Sequence, residues 1–201
     1  IPVFILGIVS VFSNMLAMSS LRSVNSVATV IAEESIASVS ELASIEQETM
    51  QIHNLALSHI VATDLNTMIS VVANIREQES VLEDELAQYK KYVDAETQSD
   101  YDVICENYEQ LKYECGNVMA YSAAGDNEAA YQLANGDIST YASAIESSIA
   151  TIKDKVNANA DKERKNLQTT YHVSFVTCVV TILVSVFSLL MAAMLVLRMV
   201  I

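Results

Sequence analysis

The sequence predicts an all-α protein, a membrane-anchored antiparallel four-helix bundle whose two long helices are continuous with two transmembrane helices. Three observations carry this expectation. Of 201 residues 52% are hydrophobic, yet there are only four glycines and one proline, so turns are scarce and regular structure must run long. Charge sits in one block: residues 22–172 hold all 25 carboxylates and 10 of the 11 lysines and arginines, whereas residues 1–21 and 173–197 carry none. Between the uncharged runs, apolar residues recur in alternating steps of three and four, the spacing of one helix face. A β-sandwich, which needs a turn every 8–12 residues or so, is excluded by the stretch from about 20 to 115 that lacks any strong breaker.

The first uncharged run, residues 1–21, reads as transmembrane helix 1. Its strongly apolar part is short, residues 3–12, and Ser10, Ser13, Asn14, Ser19 and Ser20 dilute it. A cleaved signal peptide is the rival reading, because Ala17-Met18-Ser19 has the small-x-small pattern of a cleavage site. The chain begins with neither methionine nor a basic leader, as an excised fragment would. The second run, VSFVTCVVTILVSVFSLLMAAMLVL over residues 173–197, exceeds the roughly 20 residues that cross a bilayer and reads as transmembrane helix 2. Residues 198–201 then open a cytoplasmic linker. Orientation is weakly marked: Arg198 lies on one flank, while Arg22, Lys162, Arg164 and Lys165 lie on the other and run mildly against the positive-inside rule.

Residues 22–172 are expected to form a four-helix domain, with helices over about 22–62, 65–93, 98–124 and 126–171. The clearest seam is Leu65, Met68, Val72, Ile75, Glu79, Leu82, Leu86, Tyr89, Val93, apolar at all positions but Glu79. A second runs Tyr101, Ile104, Tyr108, Leu111, Cys115, Val118, and a third Ile138, Tyr141, Ile145, Ile149, Ile152, Val156, Ala160. Residues 24–56 are looser: Val24, Val27, Ala28, Ile31, Leu42, Ile45, Ile52 and Leu55 are interrupted by serines. Ala124-Gly125-Asp126-Asn127-Glu128 predicts a helix stop and restart, with Gly125 left-handed and Asp126 capping. Residues 94–100 predict a loop with Thr97 or Ser99 as cap, Thr63-Asp64 a break, and Asn135-Gly136 a kink. The outer helices then reach roughly 60 to 70 Å and the inner two roughly 40 Å at 1.5 Å per residue. Near the membrane only the two long helices remain, which invites a homodimer through the first helix and part of the fourth.

Composition and motifs exclude several functions. A domain this acidic is unsuited to nucleic acid. No Gly-rich phosphate loop, Cys-x-x-Cys, His-Glu-x-x-His or nucleophile elbow occurs, so neither an enzyme nor a cofactor is expected. His53 and His59, six apart, do not share a helix face as an i, i+4 metal pair would. Cys105 and Cys115, ten residues apart on one helix, are roughly 15 Å apart and cannot bridge one another. Glu83-Asp84-Glu85 reads as a solvated face, and the tyrosines at 89, 101, 108 and 141 as core.

The layout of span, two long and two short helices, and span resembles the four-helix-bundle sensor region of bacterial methyl-accepting chemotaxis proteins. The resemblance in letters is carried by YECGNVMAYSAAGDNEAAYQLANGDISTYASAIESSIATI, residues 113–152, and by LEDELAQY, residues 82–89. It implies a ligand-sensing and transmembrane-signalling region of a chemoreceptor in the bacterial inner membrane, multi-pass, with the bundle outside the cytoplasm. It also implies cytoplasmic signalling proteins as partners through a C-terminal region beyond residue 201. LRMVI, residues 197–201, is where a HAMP linker would begin. The same bundle occurs on histidine kinases and diguanylate cyclases, and a structural or tethering bundle without ligand is a further alternative.

In the resembled receptors small ligands bind between the first and fourth helices at the dimer interface, far from the membrane, and amino-acid sensors use arginines there. Here the first helix has no arginine beyond Arg22. Matching by depth implies a site built from Asn54, His59, Asn135, Asp137, Thr140 and Tyr141. That set suits a small polar, neutral or cationic ligand, or a periplasmic or extracellular binding protein docking at the tip.

Overall fold

The computed structural model describes residues 2–200, and every regular element in it is helical. In chain order these are α1 (Pro2–Thr29), a π turn (Val30–Ser35), α2 (Ile36–Val61), α3 (Leu65–Tyr89), a 3₁₀ turn (Lys90–Tyr92), α4 (Gln98–Ala123), α5 (Asn127–Leu133), a second π turn (Ala134–Ile138) and α6 (Ser139–Val200). The contacts divide the chain into two compact units, Glu34–Ala158 and a second made of Ile1–Glu33 with Asn159–Ile201.

Glu34–Ala158 is an all-α bundle, antiparallel because its helices are joined by connections of only a few residues. The connection after α2 is closed by Asp64, whose carboxylate accepts from the Thr67 backbone N–H at 3.0 Å and from its hydroxyl at 2.6 Å. After α4, Gly125 takes φ 81°, a left-handed conformation that costs a residue with a Cβ about 1 kcal/mol or more, and Asp126 then caps Ala129 N–H. The loop before α4 differs from the expected capping. Thr97 occupies the N-cap position, its carbonyl accepting from Tyr101 N–H but its side chain making no cap bond, and Ser99 lies inside α4. The Thr97 hydroxyl instead accepts from the Asp94 backbone N–H and donates to the Asp94 carboxylate, closing the loop on itself.

The core is a long strip of buried side chains together with a smaller second cluster of Val71, Ile75 and Met119. Leu42, Ile52, Ile75, Leu111, Cys115, Val118, Ile138, Ile145 and Ile152 are each fully buried. Two hydroxyl residues complete the α2 face, where only apolar ones were expected. Ser38 shares a hydrogen bond with Tyr89 Oη at 3.0 Å, and Thr49 donates back to Ile45 O at 2.8 Å. Buried tyrosines find backbone acceptors in the same way. Tyr101 donates to Leu86 O and Tyr108 to Glu79 O, which pins α4 against α3 while both rings pack in the core. Glu79, the single charged position of the α3 seam, is buried and meets Arg76 at 2.7 Å. The first seam position, Leu65, is exposed, and Val71 rather than Val72 is buried below it.

Two lysines tie α6 to its neighbours. Lys153 pairs with Glu46 of α2, and Lys155 bonds both Glu96 O and the Asp100 carboxylate at the start of α4. In the second unit no described residue is buried. Its two helices are long and apolar enough to cross a membrane by length and composition, with best-window mean hydropathy 1.2 in the first and 2.7 in the second. Ser20 donates to the Ser174 hydroxyl, a polar contact between them.

Candidate functional site

The outer face of α2 carries a shallow groove of about 330 Å³ lined by Gln47, Met50, Gln51, Asn54, Leu55 and Ser58. The spacing, steps of three and one, is that of a single helix stripe, opposite the seam that α2 buries. Its polar groups are amides and a hydroxyl, with no formal charge. Such a surface can hydrogen-bond a neutral polar ligand, or pack against another helix through Met50, without stranding a charge, while Leu55 is half-buried against Val71, Ile75 and Met119.

Of the six residues expected at the site, Asn54 alone lines this groove. His59 is on another face of α2. It is buried, its Nδ1 has no hydrogen-bond partner, and burial lowers its pKa, so the ring is held neutral inside the bundle. Its backbone carbonyl accepts from Ser122, which joins the ends of α2 and α4. Asn135, Asp137 and Thr140 are exposed, and Tyr141 is half-buried against the core.

Asn135 and Thr140 bond back to carbonyls four residues earlier in their own helix, as Thr49, Ser58 and Thr151 do in regular α-helix. Asn135 Nδ2 donates to Tyr131 O at 3.1 Å, and Thr140 Oγ1 to Gly136 O at 2.8 Å. A third donor comes from α2: His53 Nε2 lies 3.0 Å from Ala134 O. A carbonyl only accepts, so Nε2 carries the proton. His53 is therefore the α2 histidine that reaches the region 134–141. The sequence signal for this was available, since His53 lies one position before Asn54, but a lone histidine does not announce which carbonyl it meets.

In the first half of α2, Glu41 and Glu48 lie near Glu85 of α3. Each has one buried carboxylate oxygen without a partner. Lys91 reaches Glu41 at 3.0 Å. Burial pushes the Glu85 carboxyl up, and the charges of Glu48 and Glu41 add to the shift. Among the described residues no group of three or more His, Cys, Asp or Glu side chains is arranged to hold a metal ion.

A family model described as a four helix bundle sensory module for signal transduction matches residues 1–171. None of the curated proteins compared matches the chain.

Proposed function

The chain belongs to the family of four-helix-bundle sensory modules for signal transduction, and from that premise we propose that it is the sensing and transmembrane-signalling region of a bacterial chemoreceptor. Residues 22–172 form the extracytoplasmic domain, and residues 1–21 and 173–197 cross the inner membrane. The bundle takes up a small polar ligand or a binding protein, and the chain pairs with a second copy through the α2 face. The module itself is not catalytic, and its output passes to cytoplasmic signalling proteins.

The observation that carries this reading is the family match over residues 1–171, which spans both the packed bundle and the first apolar run. The uncharged groove on α2 supports it, because a helix that packs or binds through amides and Met50 leaves no charge unpaired when covered. Asn54 would be the bundle's contribution there, with Asn135, Asp137, Thr140 and Tyr141 nearer the second π turn.

The reading is tested by fusing residues 1–201 to the signalling region of a chemoreceptor and screening metabolites for a change in kinase output, with thermal-shift measurements on residues 22–172 alongside. A ligand that shifts both is the expected result. A bundle that stays silent to every compound and every binding protein, while still anchoring to the membrane, would make it a tether.

A further inference from the structure

Buried positions in the last part of the bundle follow an unusual rhythm. From Ala130 they run Ala134, Ile138 and Ala142 before settling into Ile145, Ile149 and Ile152. Each four-residue step in an α-helix overshoots a full turn by about 40°, so three in succession would carry the buried face about 120° round. The π turn Ala134–Ile138 absorbs that drift, because one wider turn accommodates one extra residue. It keeps Ala130 fully buried and leaves the neighbouring Tyr131 56% exposed.

The same segment has a second register. Counted back from Ile138 along an uninterrupted α-helix, Tyr131 lies seven residues away, about 20° short of two turns, and falls on the buried face. Ala130 would then turn outward. Packing fixes the two ends of the π turn, where Ala134 and Ile138 are fully buried, but not its middle, since Asn135, Gly136 and Asp137 are all exposed and a Cβ on Gly136 would meet nothing within 4 Å. Asn135 and Thr140 bond back four residues along their own helix, as Thr151 does in regular α-helix, so among the described residues the side-chain bond that reaches this segment from another helix is that of His53.

We propose that the π turn Ala134–Ile138 is a two-register switch latched from α2 by His53. With the latch closed, Ala130 packs inside and Tyr131 faces out. With it open, the segment re-forms as α-helix, and α5 turns by about 100° relative to the start of α6, bringing Tyr131 onto the bundle. The switch is a property of the fold alone. Its use as an input to α6 rests on the sensory reading, and because the test below reads structure only, its failure would leave that reading standing.

The chain has no tryptophan, so Tyr131→Trp in the whole chain, in detergent micelles, supplies a single tryptophan at the moving position, excited selectively above the tyrosine band. His53→Leu in that background should shift the emission to the blue, and His53→Gln, which keeps a donor, should leave it near the parent. Deleting Gly136 removes the extra residue and restores alternating steps of four and three. That variant should fold with a melting temperature at or above the parent's and stay red-emitting even with His53→Leu, whereas deleting the exposed Ser143 should unfold the bundle. Should His53→Leu fail to fold, Gly136→Ala supplies the same bias toward the α register and should also shift the emission to the blue. Unchanged emission in a folded His53→Leu, or in Gly136→Ala if the former does not fold, would overturn the switch. Unfolding on loss of Gly136 would overturn the one-residue insertion on which it depends.

Discussion

Residues 34–158 and the unit made of residues 1–33 and 159–201 draw on the same apolar vocabulary and use it in opposite ways. In the first, Leu42, Ile52 and Ile145 are fully buried, and apolar side chains such as Ile36, Val61, Leu65 and Ile69 are exposed only here and there among polar ones. In the second, Leu183 is 63% and Phe187 66% exposed, and no described residue is buried. A pattern with one apolar stripe is completed by other helices; one that is apolar all round is completed by a different solvent. Hydrocarbon is the solvent that suits the second, and under the proposed reading the bilayer supplies it.

The contrast can be broken by substitution. Ile145→Ala should destabilise the bundle most, by about 2–5 kcal/mol for a large side chain lost from a filled core, read as a fall in denaturation midpoint. Leu183→Arg should do little to that midpoint but cost about 2.5–3.5 kcal/mol in membrane insertion, read with a glycosylation-reporter assay. Equal effects of both substitutions on the bundle's midpoint would erase the distinction.

Smaller changes sharpen it. Gly125→Ala should cost about 1 kcal/mol from backbone strain alone, since a Cβ there meets nothing within 4 Å. Glu85→Gln should raise bundle stability at neutral pH. The folded carboxyl titrates above its ordinary value, so above that raised pKa the charged form weakens the fold. The gain should therefore fade as pH falls through the raised pKa toward the ordinary carboxylate range, where the group is protonated in folded and unfolded chains alike. A gain independent of pH would place its origin elsewhere. Leu189→Ala, on the exposed apolar surface, should move the bundle's midpoint by less than about 0.5 kcal/mol.

Much of the bundle was legible because its signals are local. Gly125 and Asp126 announce a stop and a start by backbone conformation and capping, and the α4 seam and the α3 seam from Ile75 to Tyr89 are buried as their spacing requires. The α2 seam was hidden because Ser38 and Thr49 look like interruptions. They become core only through the Tyr89 hydroxyl and the Ile45 carbonyl, partners that no local pattern reveals. The kink expected at Asn135-Gly136 is a π turn, a distinction that depends on which residues face α2. His59 and Asn54 were grouped by depth along α2, and depth does not specify azimuth: one points inward and the other into the groove.

The three thiols form a graded set of chemical probes. Cys115 is fully buried, and burial pushes its pKa up to about 12, so it is neither reachable nor ionised while the bundle is closed. Cys105 is half-buried and Cys178 exposed on the apolar part of α6. A water-soluble maleimide and a membrane-permeant one would therefore label the native chain at different places. The rate at which Cys115 finally reacts would time the opening of the bundle interior, with no residue added to the protein.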